Sequence, residues 1–348
     1  MGKKHLVSFE PVDLQMEVDE EETVLNAAFR QGIALMHGCK EGQCSACKSF
    51  LLDGDVQMDR YSTFALADYE SDEGYVLLCK SHAFSDLRIE LINYDEDMLR
   101  DAVPIQQGRA RVEAVTPLTH DIVSLTLGMV DPPALTFKAG QYVDITVPGS
   151  TQHRSFSIAT TPDTPERLEF IIKRYPGGLF SGLLDGHLRP GDTLDLVGPY
   201  GTFTLRAKSD RRVVFIGGGA GMAPILGLLR QMVREGLDRP VTFYYGARTA
   251  DDLFYRDEID ALGGRLAHFA FVPCLSDQWP HDWTTRPDGG RTGIVTTVVD
   301  AAEADLDDAD VYLCGPPPMV DAALELMDRR AVPREQVHYD KFTTAVGD

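Results

Sequence analysis

Along the first two thirds of the chain, apolar and polar positions mostly alternate with period two. The last third instead sets continuous apolar runs between helical spacings. Residues 5–10 and 12–18 alternate as a hairpin would. Thr23 stands as an N-cap before Val24, Leu25, Ala28 and Phe29, which share a helical face, and Gly32 ends that helix. A loop rich in glycine and cysteine follows from 38 to 47, then short strands are predicted at 49–52, 56–58, 75–78 and 87–92. Together these predict a small mixed α+β unit over residues 1–97. The charged stretch 95–107, with Pro104, reads as a linker.

Six further alternating runs, at 109–115, 122–127, 142–147, 155–159, 168–172 and 193–197, predict an antiparallel β-barrel over residues 105–207, interrupted by a short helix at 179–185. From 211 to 348 the pattern changes. Residues 213–216 are uniformly apolar, as a strand covered on both faces would be. Residues 223–234 put Ile225, Leu228, Leu229, Met232 and Val233 on one helical face, with Pro224 near the start. Strands at 241–245, 267–272 and 311–313 complete an alternation that predicts a doubly wound parallel α/β sheet. The fold class is multidomain, and no internal repeat is found.

Composition narrows the picture. The chain has 348 residues, 43% hydrophobic and 25% charged, which is enough apolar material for packed cores. No apolar run reaches the roughly 18 residues of a membrane helix, and the N-terminus lacks a signal-peptide core, so a cytoplasmic protein is expected. A net charge of −21 argues against nucleic acid and anionic membranes as partners. Residues 1–103 hold 21 acidic and 9 basic side chains. That excess is either a solvated surface or a docking face for a basic partner.

Four of the six cysteines follow the spacing Cys39-x4-Cys44-x2-Cys47-x31-Cys79. A plant-type [2Fe–2S] centre uses C-x4-C-x2-C and a distant fourth cysteine, because the loop must curl around a compact cluster. Gly38 and Gly42 permit the curl, and Ser45 and Ala46 let backbone approach the sulfurs. Zinc would call for paired C-x2-C motifs or histidines, and the x4 gap does not suit it. Cys274 and Cys314 lie too far along the chain to be ligands of this centre.

A second signal is Gly217-Gly218-Gly219-Ala220-Gly221-Met222 between the 213–216 strand and its helix. Glycines at a helix N-terminus suit a dinucleotide pyrophosphate, although the order departs from G-x-G-x-x-G. A third is Cys314-Gly315-Pro316 with Met319, which puts a thiol at the carboxyl edge of the same sheet. A nicotinamide gives two electrons as hydride, whereas an iron–sulfur cluster takes one. The two need a flavin between them. The barrel offers Arg154-Ser155-Phe156-Ser157 on a strand, with a cation for a phosphate and a hydroxyl for the isoalloxazine edge, and Gly177-Gly178-Leu179-Phe180-Ser181 opening the short helix.

With these motifs in this order, the chain resembles the ferredoxin-type NADH reductase components of bacterial soluble di-iron monooxygenases, within the ferredoxin–NADP reductase superfamily. The resemblance covers the whole chain. It implies a β-grasp ferredoxin domain, a flavin barrel and a nicotinamide domain, with FAD, a [2Fe–2S] cluster and NADH as cofactors. It puts Arg154 on the FAD phosphates, Phe156 and Ser157 at the isoalloxazine, and Ile171, Ile172, Lys173 and the 178–181 turn on the ribityl and pyrophosphate groups. It likewise gives the 218–224 turn to the dinucleotide, with Ala220 where many relatives carry Thr, and sets Cys314 near the reacting nicotinamide carbon. Phe342 is the candidate for an aromatic at the flavin ring. Arg248, after the second strand, would lie near the adenosine ribose; NADH is the implied donor, though an arginine there could also meet a 2′-phosphate. The implied partner is an oxygenase or hydroxylase component docking near the ferredoxin domain. Two alternatives stay open: a reductase of a ring-hydroxylating dioxygenase, and a redox-sensing iron–sulfur module without turnover.

Overall fold

The computed structural model describes residues 2–92, 94, 103–277 and 290–342. The expected linker at 95–107 therefore falls largely outside the described residues. The chain divides into two compact units, one comprising residues 1–106 with Gly198–Thr202, the other residues 107–197 and 203–348.

In the first unit the N-terminal hairpin forms as β1 (Lys4–Glu10) and β2 (Leu14–Asp19), paired antiparallel. The alternation turns Val7 and Phe9 inward. The helix Val24–Arg30 starts where Thr23 accepts the amide of Asn26. Strands β3 (Lys48–Asp53), β4 (Val56–Met58), β5 (Tyr75–Leu77), β6 (Ser81–Ala83) and β7 (Leu87–Leu91) follow. The main sheet runs β2-β1-β7-β3-β5, with β4 and β6 as a separate ribbon. The helix fills the sheet's apolar face through Val24, Leu25, Ala27 and Ala28. A second helix, Asp68–Glu73, buries no side chain. It therefore leaves no apolar period in the sequence.

The second unit opens with the barrel strands β8 (Gln106–Pro117), β9 (Ile122–Asp131), β10 (Tyr142–Thr146), β11 (His153–Ser157), β12 (Arg167–Lys173) and β13 (Thr193–Tyr200). They form one sheet in the order β11-β10-β13-β8-β9-β12. Its core is apolar, with Leu125, Leu127, Val143, Ile145, Leu168 and Phe170 fully buried. Next come β14 (Arg212–Gly218), β15 (Val241–Ala247), β16 (Phe269–Leu275), β17 (Arg291–Thr292), β18 (Ala309–Gly315) and β19 (Val337–Lys341). They are all parallel, in the order β17-β16-β15-β14-β18-β19. The order reverses between β14 and β18, which is where open α/β sheets leave a crevice for ligands.

One face of this sheet packs on the helix Met222–Glu235 and shares its core with Ala159, Ile171 and Phe203 of the barrel segment. The other packs on the helices Val295–Ala302 and Pro317–Arg329. No helix among the described residues is long and apolar enough to cross a membrane.

Candidate functional site

Cys39, Cys44 and Cys47 lie on the loop between the first helix and β3, and Cys79 follows β5. Positive φ at Lys40, Gly42 and Ser45 curls the loop tightly. All four are free thiols; three are buried and Cys39 is half-buried. They face each other as two hydrogen-bonded pairs, Cys39 with Cys44 and Cys47 with Cys79. The amides of Glu41 and Gln43 donate to Cys39 Sγ at 3.4 and 3.3 Å, and that of Cys39 donates to Cys44 Sγ at 3.3 Å. The Cys44 thiol and these amides pull Cys39 down to about 7. The Cys47 thiol and burial push Cys79 far up.

Among the described residues no three His, Cys, Asp or Glu side chains are grouped as the holders of a single metal ion would be. Two pairs of thiols ringed by N–H donors instead suit a centre of two metals, each held by two thiolates. Cys274 and Cys314 belong to the other unit.

On β11, Arg154 and Phe156 lie on one side of the strand and Ser155 and Ser157 on the other. Ser155 donates to Asp144 on β10 at 2.6 Å. Arg154 is half-exposed and reaches the His153 carbonyl at 2.9 Å. Phe156 packs on Phe180 with ring centroids 4.7 Å apart. The Phe180 and Ile172 side chains point into the barrel core, whereas that of Ile171 sits in the core shared with the parallel sheet. Lys173 pairs with Asp121 at 3.0 Å. Ser181 accepts the amide of Tyr175 at 2.9 Å, which shapes the Gly177–Gly178 turn ahead of Leu179. Thr160 Oγ1, three residues past Ser157, is buried with no hydrogen-bond partner, a polar atom that a bound group would satisfy.

The glycine turn after β14 has two different reasons for its glycines. Gly219 holds φ +57 and has nothing within 4 Å of an added Cβ, so this point of the backbone is open to a ligand. At Gly221 a Cβ would lie 2.1 Å from the Cys314 carbonyl oxygen, so a glycine here is required by the close approach of β18. The helix from Met222 has no side-chain cap, leaving its first amides for an anion. Ala220 is buried beside it. Pro316 caps the helix that carries Met319, whose sulfur would be 2.8 Å from a Cβ on Gly218.

Strand pairing brings the rest together. Gly217 on β14 pairs with Cys314 on β18, and Cys314 pairs with Asp340 on β19. Ser157 Oγ lies 3.4 Å from Asp340 Oδ2, and the amide of Phe342 donates to Gly315 O at 3.0 Å. Cys314 is fully buried, and burial with the nearby Asp340 pushes its thiol far up. Burial raises the Asp340 carboxyl to about 6, partly offset by Ser157. Ser157 and Cys314 thus meet at a carboxylate that motif reading missed, with the Phe342 amide tied to the neighbouring Gly315. Nothing in Tyr339-Asp340-Lys341 marks it until the pairing of β18 with β19 is known.

Further out, Glu169 on β12 accepts from Arg230 at 2.8 Å, from Ser124 at 3.1 Å and from the Tyr255 hydroxyl. Burial opposes its charge, yet Arg230 and these donors hold it below the ordinary carboxylate range. The cluster ties the barrel to the sheet within this unit. Arg248, after β15, lies 3.4 Å from His120 Nε2, and His120 in turn stands 3.5 Å from Asp252 and 3.6 Å from Asp121.

Three family models match the chain: a 2Fe-2S iron-sulfur cluster binding domain over residues 7–83, an oxidoreductase FAD-binding domain over 109–205 and an oxidoreductase NAD-binding domain over 215–325. The chain is 56% identical to a propane 2-monooxygenase reductase component of Mycolicibacterium goodii, over 100% of both chains. It is 33% identical to the reductase component of a Pseudomonas phenol 2-monooxygenase, over 97% of this chain and 94% of that one. Among solved structures, an Amycolatopsis cytochrome P450 reductase matches with TM-score 0.82 at 31% identity, covering 98% of this chain and 99% of that one.

Proposed function

The chain belongs to the family of reductase components of multicomponent monooxygenases, and on that footing we propose that it supplies a propane-oxidising hydroxylase with electrons drawn from NADH. It is an NADH-dependent oxidoreductase with FAD and [2Fe–2S] domains. When bound, FAD would supply the exchange between the hydride of NADH and single electrons, and a [2Fe–2S] cluster would supply a one-electron carrier. The observation that carries the reading is the coexistence, in one chain, of the two-pair thiol centre and the Ser157–Asp340–Cys314 edge.

In this reading Cys39, Cys44, Cys47 and Cys79 would hold the cluster. Arg154 and the amides at Gly177–Leu179 would face the FAD phosphates, and Ser157 the isoalloxazine edge. The Gly219 gap and the uncapped helix from Met222 would take the dinucleotide pyrophosphate, with Cys314 and Gly315 beside the nicotinamide and Phe342 closing the site. Asp340 would hold the Ser157 hydroxyl in place. Arg248 lies against His120, which itself stands beside Asp121 and Asp252; these carboxylates near the position favour a ribose over a 2′-phosphate. The division at 1–97, 105–207 and 211–348 is likewise our own, supported by the change of sequence pattern. Six free cysteines suit the reducing cytoplasm.

For the hydroxylase, the ferredoxin unit offers a docking face. The turn 61–66 lies on the cluster loop, with the Ser62 amide donating to Gly42 O at 3.0 Å. From it Phe64 projects 86% exposed, with exposed Tyr69 and the acids Asp59, Asp68, Asp72 and Glu73 along the same stretch of chain. A basic-rimmed, apolar-centred partner surface would fit it.

The test is Cys44→Ala in FAD-loaded protein. NADH oxidation by a small dye should stay within about twofold of the parent, while reduction of the hydroxylase should be lost. Equal loss of both in a folded, flavin-bearing variant would contradict the ordered relay.

A further inference from the structure

Gly198–Thr202 spans the end of the last barrel strand and the two residues after it, yet it groups with the unit that carries the four thiols. His37 is the reason. Its ring is buried, 4% exposed, with Nδ1 2.7 Å from Leu35 O and Nε2 2.8 Å from the amide nitrogen of Gly201. An amide can only donate, so Nε2 accepts and Nδ1 carries the ring proton, which it donates to Leu35.

The His37 carbonyl accepts from Thr202 Oγ1 at 3.0 Å. Phe29 packs edge-on against the His37 ring at 4.7 Å and tilts against Tyr200 at 5.3 Å. Lys40 Nζ lies 3.2 Å from the centre of the Tyr200 ring. His37 and Lys40 flank Cys39, the first of the four thiols. The segment that leads back into the flavin-carrying part of the chain is therefore seated, by two hydrogen bonds and a cation–π contact, on residues either side of that cysteine.

We propose that His37 is a positioning residue for the internal electron step, fixing Gly201 and Thr202 against the cluster loop so that the cluster is held in place for transfer from the flavin. The inference rests on the reading of the chain as an NADH–FAD–cluster reductase. In the step one electron leaves reduced FAD and one enters the cluster, and no bond is made or broken. A buried histidine that only fills space would be replaceable by any side chain of similar volume. One that holds the Gly201 amide is replaceable only by a side chain that keeps an acceptor at Nε2.

The experiment compares full-length, fully loaded His37→Leu, which keeps volume without the acceptor, with His37→Gln, which keeps an acceptor. Amide exchange over 198–202 is followed by mass spectrometry, and cluster bleaching by rapid mixing with NADH. In His37→Leu, exchange should quicken at least tenfold and cluster reduction should slow at least tenfold. Dye reduction should stay within twofold of the parent and the cluster's EPR signal should be unchanged. His37→Gln should restore cluster reduction to within threefold.

Wild-type cluster reduction in His37→Leu overturns the proposal, as does His37→Gln that is as slow as His37→Leu. Should His37→Leu fail to keep its cluster, Thr202→Val carries the test. It removes one hydrogen bond and should slow transfer at least threefold, and a parental rate there overturns the proposal. If the reductase reading itself fails, it does so in the unsubstituted chain, whose cluster NADH would then not bleach.

Discussion

Asp340 shows what a single residue gains from its place. Its carboxyl sits against Ser157 at the sheet edge opposite Cys314, and burial raises it to about 6. A raised carboxyl means that the folded chain binds a proton more tightly than the unfolded one. Stability therefore falls as pH rises from the ordinary carboxyl range through about 6, and stays lowered above it. Asp340→Asn should remove that slope and add roughly 3 kcal/mol above pH 6, read from denaturant midpoints at several pH values. The same change should slow flavin reduction by NADH about tenfold to a hundredfold, read by rapid mixing; a parental rate would take Asp340 out of the site.

The residues differ in how they could be found. The cluster cysteines are legible because a loop that wraps a cluster needs them at fixed spacing. Asp340 gains its role from a strand pairing, which spacing does not encode.

At the scale of elements, period-two alternation marks barrel strands such as β8 and β13, which turn one face to the core. The uniform run at 213–216 marked β14 because both its faces are covered. The helix Asp68–Glu73 escaped because it buries nothing, and β19 because its five residues, Val337–Lys341, include four with polar or charged side chains.

The sequence suggests a phosphate cradle over the whole glycine turn, and within it the structure gives Gly219 and Gly221 different surroundings. Gly219 is open and needs only its positive φ, so Gly219→Ala should cost about 1 kcal/mol. Gly221 abuts the backbone of Cys314, so Gly221→Ala should cost roughly 2–4 kcal/mol. Chemical denaturation of both variants checks this, and equal losses would contradict it.

For the whole molecule, three matched segments in fixed order turn separate motifs into a circuit. The order was legible because nicotinamide and cluster differ in electron count and a flavin must stand between them. The seat of Gly198–Thr202 beside the thiols was not, because strand pattern assigns that segment to the barrel. The acidic excess over residues 1–103 acts at this scale too. If it steers the hydroxylase, partner-dependent turnover at sub-saturating hydroxylase should fall severalfold between about 50 and 300 mM salt. Dye reduction should hardly change. A salt-independent partner rate would remove the acidic face from docking.

Anaerobic rapid mixing of the loaded protein with NADH tests the central claim most directly, with flavin and cluster followed by their separate absorbances. Flavin bleaching should come first and cluster bleaching after it, and Cys44→Ala should show the first alone. A cluster that bleaches ahead of the flavin, or a flavin that NADH leaves oxidised, would contradict the account.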